Sequence, residues 1–147
     1  MIREATDVAA VAERLRPVVL RLARELRRET EQLGVTSRQV TLLWLVREHP
    51  GLTLGELAAL EGISAPSLSA HVDRLERAGL LERVRRGDDR RCVGLALTPA
   101  GSQLLRRVRR RRTTWLARRL SRLEAGEVEA IERALEPLRR LLPREEA

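Results

Sequence analysis

The chain has 147 residues and carries 29 basic against 21 acidic side chains, a formal net charge of +8, with two Trp and neither Tyr nor Phe. That length supports one compact domain able to bury about 70% of its unfolded surface, and 43% hydrophobic residues exclude a wholly disordered basic tail. The basic excess points to a polyanion, nucleic acid foremost, but two Trp far apart in sequence cannot build the aromatic platform on which single-strand binders stack bases.

Val8, Val11, Leu15, Val18, Leu22 and Leu26 recur at spacings of three and four, a narrow helical stripe. Pro17 falls inside it, so the helix is expected to kink there or to start afresh with Pro17 in its first turn. Thr36 and Gln39 form a capping box that opens a helix through SRQVTLLWLVREH, closed by the His49–Gly51 breaker. Thr53 and Glu56 open a short helix that stops at Gly62. Ser64 is the N-cap candidate for the next helix, which stops at Gly79. Two helices joined by a turn of about three residues have the helix-turn-helix spacing. Ala58 allows the two to cross closely, Gly62 supplies a positive φ, and Leu68, Val72 and Leu75 form the buried face of the second helix.

After Gly79 the period changes. LLERVRR and VGLALT read as two short strands, with Val93, Leu95 and Leu97 alternating, joined by the turn-prone link GDDRRC. Thr98 then caps a long helix with Pro99 in its favoured first position. A last helix carries Val128, Ile131, Leu135, Leu138 and Leu142. Two terminal helices with two-in-seven stripes exceed what a small core needs, and predict helix packing between subunits.

The lone Cys92 excludes an internal disulfide and any Cys-rich zinc site, and with only His49 and His71 besides no three- or four-ligand Cys/His metal site is expected within one chain. No apolar run reaches membrane-spanning length. The N-terminus has no signal-peptide pattern, so a reducing cytoplasm is the expected compartment. No Ser/His/Asp set and no phosphate-cradling loop is present, so neither catalysis nor a cofactor is expected.

The segments TLGELAALEGISAPSLSAHVDRLERAGLLER, Asp89-x-Arg91 and LTPAG together resemble the MarR family of bacterial transcription regulators, over nearly the whole chain. The resemblance implies a mainly α fold with a small β-hairpin wing: a winged helix-turn-helix flanked by long N- and C-terminal dimerisation helices. The implied single domain has its winged core over about 36–98 and dimerisation helices over about 5–34 and 99–142. It also implies a homodimer whose second helix of each helix-turn-helix enters the major groove while a wing Arg reaches the minor groove. The N-terminal residues of such a helix meet base edges. The candidate DNA contacts are therefore Ser64, Pro66, Ser67, Ser69, His71 and Arg74, with Thr36, Ser37, Arg38 and Thr53 at neighbouring helix starts. Ser67 and Ser69 discriminate bases poorly, and Ala70 stands where family members often carry Arg. In the wing, Asp89 would hold Arg91 in one pose, with Asp88 a competing partner and Arg90 a competing reader; a narrow minor groove favours such an Arg.

Charge is segmental. Residues 1–82 carry net −1, residues 83–122 net +12 and residues 123–147 net −3. The most basic run, Arg106 to Arg112, reads as a solvated helix face for most members, with a pocket or interface role for one or two. Absence of Lys, Asn, Phe and Tyr matches a GC-rich codon bias, which weakens any argument from Arg over Lys. Trp44 reads more readily as core than as a ligand platform. Trp44 and His49 are nevertheless the candidates for a small-molecule cleft beside the first helices, and His49 also suits a helix C-terminus.

The expected function is that of a cytoplasmic homodimeric regulator binding a pseudo-palindromic double-stranded operator, a repressor released by a small anionic or aromatic effector. The alternative is a non-specific basic nucleic-acid-binding or architectural protein. A protein-interaction adaptor using the same motif fits the +12 segment poorly.

Overall fold

The computed structural model describes residues 6–85, 87 and 93–143. Six helices and one hairpin follow in the order α1 (Val8–Glu31), α2 (Ser37–Glu48), α3 (Leu54–Glu61), α4 (Ala65–Arg77), β1 (Leu81–Arg85), β2 (Val93–Leu97), α5 (Pro99–Leu120) and α6 (Ala125–Arg139). Two compact units divide the chain, Met1–Arg112 and Thr113–Ala147.

In the first unit, local chemistry starts nearly every helix. Asp7 accepts from Ala9 N at 3.0 Å to open α1. Thr36 Oγ1 accepts from Gln39 N while Gln39 Oε1 accepts from Thr36 N, so the expected capping box is complete. Thr53 Oγ1 accepts from Glu56 N and Ser64 Oγ from Ser67 N. Each such cap is worth about 1 kcal/mol against Ala. Gly62 closes α3 at φ 62°, and Gly79 follows α4 at φ 73°. Both lie in the left-handed region where a side chain is strained.

The helix α1 runs unbroken through Pro17, so the expected fresh start there does not occur. The proline costs one backbone hydrogen bond and a clash with the preceding turn, while Asp7 already caps the segment and the helix continues for more than three turns beyond.

The core gathers α2, α3, α4, the hairpin and the first half of α5. Leu42, Leu43, Leu57, Leu68, Val72 and Leu75 are fully enclosed, so the inner face of α4 is the one its spacing predicted. β1 pairs antiparallel with β2 in the register Leu81↔Leu97, Arg83↔Leu95 and Arg85↔Val93. The hairpin is stitched to the segment before α3: Thr53 bridges Gly94, and Leu95 N donates to Leu52 O at 2.9 Å. A Cβ on Gly94 would lie 2.8 Å from Gly51 O, so this close backbone approach requires glycine.

Thr98 Oγ1 joins α4 to α5. It donates to Gly79 O at 2.5 Å and accepts from Gly101 N at 3.1 Å. Gly101 packs so tightly there that a Cβ would meet Leu80 O at 2.2 Å.

In the second unit, Trp115 is buried and the Arg119 guanidinium stacks on its ring at 3.6 Å. On α6 no residue is buried, and Ile131, Leu135 and Leu138 are exposed at 41%, 47% and 36%.

Candidate nucleic-acid interface

The N-terminal turn of α4 presents a small, polar, solvent-facing surface. Ala65, Pro66, Ser67 and Ala70 are exposed and Ser69 is half-buried, while Leu68 behind them is fully enclosed. This split follows from helical periodicity, with Leu68, Val72 and Leu75 turned to the core. The Ser64 hydroxyl accepts the Ser67 N–H at 3.3 Å; its own O–H remains available as a donor. Pro66 brings no N–H. The turn thus attracts an anion weakly through its backbone, and selectivity rests on side chains.

One turn further, His71 is half-buried and Arg74 exposed. Neither Arg74 nor Arg77 is ion-paired among the described residues. Asp73 and Glu76 belong to a different arrangement. Arg83 of β1 donates through Nη2 to Asp73 Oδ1 at 2.8 Å and through Nη1 to Glu76 Oε2. The hydrogen bond to Asp73 raises the Arg83 pKa further; burial opposes this and the charges of Glu76 and Asp73 assist. A polar cleft of about 380 Å³ is lined by Asp73, Glu76, Arg77 and Arg83. Arg83 escaped the sequence reading. Its available signal was a pair of carboxylates one turn apart on α4, facing the first arginine of the basic segment.

The other candidates occupy separate helix starts. Thr36 is a cap, Ser37 is half-buried with its carbonyl accepting from Thr41 Oγ1, and Arg38 is exposed. Thr53 is committed twice, as cap of α3 and as bridge to Gly94. Asp88, Asp89, Arg90, Arg91 and Cys92 lie outside the described residues.

Trp44 is 47% exposed, which corrects its reading as core. In α2 the enclosed positions are Val40, Leu42, Leu43 and Val46, and Trp44 falls outside that face. His49 is the exposed C-cap of α2, its N–H donating to Leu45 O. A cleft of about 220 Å³ between the end of α2 and β2 is lined by Val46, Arg47, Pro50, Leu95, Ala96 and Leu97, a set that contains neither Trp44 nor His49.

The arginine run divides. Arg106, Arg107, Arg109 and Arg110 are exposed, while Arg111 and Arg112 are half-buried. Arg111 pairs with Glu29 at 3.5 Å and donates to Gln32 Oε1. Arg112 Nε donates to Leu26 O at 3.3 Å. Desolvation, then the neighbouring Arg27, lowers the Arg112 pKa. These two residues tie α5 to the end of α1.

Residues 35–93 match the model of the MarR family. An HTH-type transcriptional regulator of Mycobacterium bovis, Mb0904, is 31% identical over 119 residues, which span 81% of this chain and 83% of that one. The chain belongs to the MarR family. Further comparisons also span most of the chain. The HTH-type transcriptional repressor MdtR of Bacillus subtilis is 31% identical over 104 residues, 71% of this chain and 67% of its own. The crystal structure of the transcriptional regulator Tm0710 from Thermotoga maritima superposes with a TM-score of 0.78 at 26% identity, covering 90% of this chain and 94% of that one. The winged helix-turn-helix of this MarR-family chain is thus a regulator's DNA-binding fold. Among the described residues, no helix is long and apolar enough to cross a membrane.

Proposed function

We propose that this MarR-family regulator binds a specific double-stranded operator as a homodimer and represses transcription until a small molecule releases it. The observation that carries the reading is the first turn of α4, a solvent-exposed, small-residue, hydroxyl-bearing surface backed by a fully enclosed apolar face. A helix fits the major groove, and its first residues meet base edges. Ser67 and Ser69 are assigned to base edges. Arg74, His71, Ser64 and Pro66 are assigned to the groove margin, Thr36, Ser37, Arg38 and Thr53 to the backbone, and Arg90 and Arg91 to the minor groove, with Asp89 holding Arg91.

Dimerisation is supported by the apolar residues that α1 and α6 leave uncovered. In α1, Val8, Val11, Val18 and Leu22 are 40–78% exposed, and in α6 the row Ile131, Leu135 and Leu138 is also open to solvent. Exposed apolar stripes of this length mark interaction surfaces. The winged core at 36–98 and the flanking helices at 5–34 and 99–142 are assigned to reading and to dimerisation respectively. The repressor sign follows the name of MdtR. For the effector, an anionic or aromatic small molecule near the exposed Trp44 and His49 is favoured.

The test is a footprint on duplexes enriched from random DNA by the protein, combined with sedimentation. An imperfect palindrome protected by a two-chain species is expected. Uniform protection without sequence preference would instead establish the non-specific alternative.

A further inference from the structure

We infer that Arg83 is a positioning residue: it bridges Asp73 and Glu76 to lock the hairpin against α4, and so sets the spacing between the two groove readers. This deepens the operator-binding reading and rests on it.

The argument begins with the strand. Along β1 the row facing α4 runs Leu81, Arg83, Arg85, because side chains alternate across a strand. Leu81 is enclosed and anchors the root in the core. Beyond it β1 has no further enclosed residue, and on β2 the enclosed Leu95, opposite Arg83, and Gly94 beside it are the last before the tip. Arg83 takes over at that point. Its planar fork offers two donors in fixed geometry, and here each reaches a different carboxylate of α4, Asp73 and Glu76. Those two acids are three residues apart and therefore share one helix face. The three side chains are about one-third to two-fifths exposed, so the cluster sits at the protein surface and contributes little to global stability. Its effect is directional: it fixes where the distal half of the hairpin points relative to α4.

A second consequence is electrostatic. Asp73 and Glu76 alternate with Arg74 and Arg77 on α4, a helix that approaches phosphates. Arg83 neutralises the acids locally, and Arg74 and Arg77, without an ion pair among the described residues, are left to meet the backbone.

The experiment compares wild type, Asp73→Asn/Glu76→Gln and Arg83→Gln. Affinities are measured for an enriched duplex and for a scrambled duplex of the same composition. Amide hydrogen exchange is followed across β1 and β2. On charge alone, removing two acids should tighten all DNA binding and removing Arg83 should loosen it. The lock predicts instead that both variants lose discrimination between the duplexes by about tenfold, the size of one lost base-pair contact. Both should also exchange faster at Val84 and Gly94, the distal pair whose amides face across the hairpin, with the amides of α2 unchanged. Because the cluster is exposed, both variants fold, and near-wild-type melting checks this. Unchanged hairpin exchange overturns the lock. Faster exchange with unchanged discrimination overturns its positioning role, as does uniformly tighter binding by the double variant. Failure of wild type to enrich any duplex would overturn the operator reading, and the exchange data would then decide the lock by themselves.

Discussion

Gly101 offers a sign test of the packing. In an ordinary helix, replacing Gly by Ala stabilises by about 0.5–1 kcal/mol, through propensity and a less flexible unfolded chain. At Gly101 the new Cβ would lie 2.2 Å from Leu80 O. That carbonyl already accepts from Thr98 N at 3.2 Å, and Leu80 N donates to Leu75 O at 2.9 Å, so this backbone is held in place. Overpacking of this kind costs about 1–3 kcal/mol, which exceeds the propensity gain. Gly101→Ala should therefore destabilise by about 1–2 kcal/mol, or about 2–8 °C in Tm for a chain of this size. Gly126→Ala is the control. It sits in the first turn of α6 with nothing within 4 Å of the new methyl, and should stabilise by about 0.5 kcal/mol. Urea denaturation of both variants at one fixed chain concentration reads the difference, since association would otherwise shift the midpoint. A Gly101→Ala protein as stable as Gly126→Ala would refute the close approach of α5 to the turn after α4.

Four further outcomes are expected. Ser64→Ala should cost about 1 kcal/mol in urea denaturation, because the Ser67 N–H loses its acceptor. Arg74→Ala should weaken binding to all duplexes alike and reduce the slope of log K against log salt by about 1 in a salt titration, as for one phosphate contact. Arg111→Ala should destabilise more than Arg110→Ala in thermal melts, since only Arg111 reaches Glu29 and Gln32. Leu135→Arg should shift the sedimenting species from two chains to one, by placing a charge in the uncovered row of α6.

What was legible in the sequence was the chemistry that acts over a few residues. Thr36, Thr53, Ser64 and Thr98 announce helix starts because a hydroxyl two or three positions before an amide caps it wherever the chain goes. Gly62 and Gly79 announce stops for a similar local reason. Leu68, Val72 and Leu75 reveal their face by period alone. What was not legible depends on elements distant along the chain. Trp44 lies in an unbroken apolar run where period cannot tell the buried face from the exposed one. The arginine run looks uniform, and only the end of α1, some eighty residues earlier, separates Arg111 and Arg112 from the rest. Gly94 is required by the backbone of Gly51, which no spacing reports. The helical stripe of α1 outweighed Pro17, whose penalty is a single turn's.

Thr53 closes the circuit between motif and hairpin. One residue caps the first helix of the helix-turn-helix and pairs with the strand that returns from the wing. Swivelling the hairpin about its root would therefore uncap α3 and break the Leu52–Leu95 hydrogen bond at the same time. The root of the hairpin and the start of α3 therefore move as one piece, and the distal half of the hairpin is left to the Arg83 cluster. In the proposed homodimer, the variable left for a releasing signal to act on is the distance between the two reading heads.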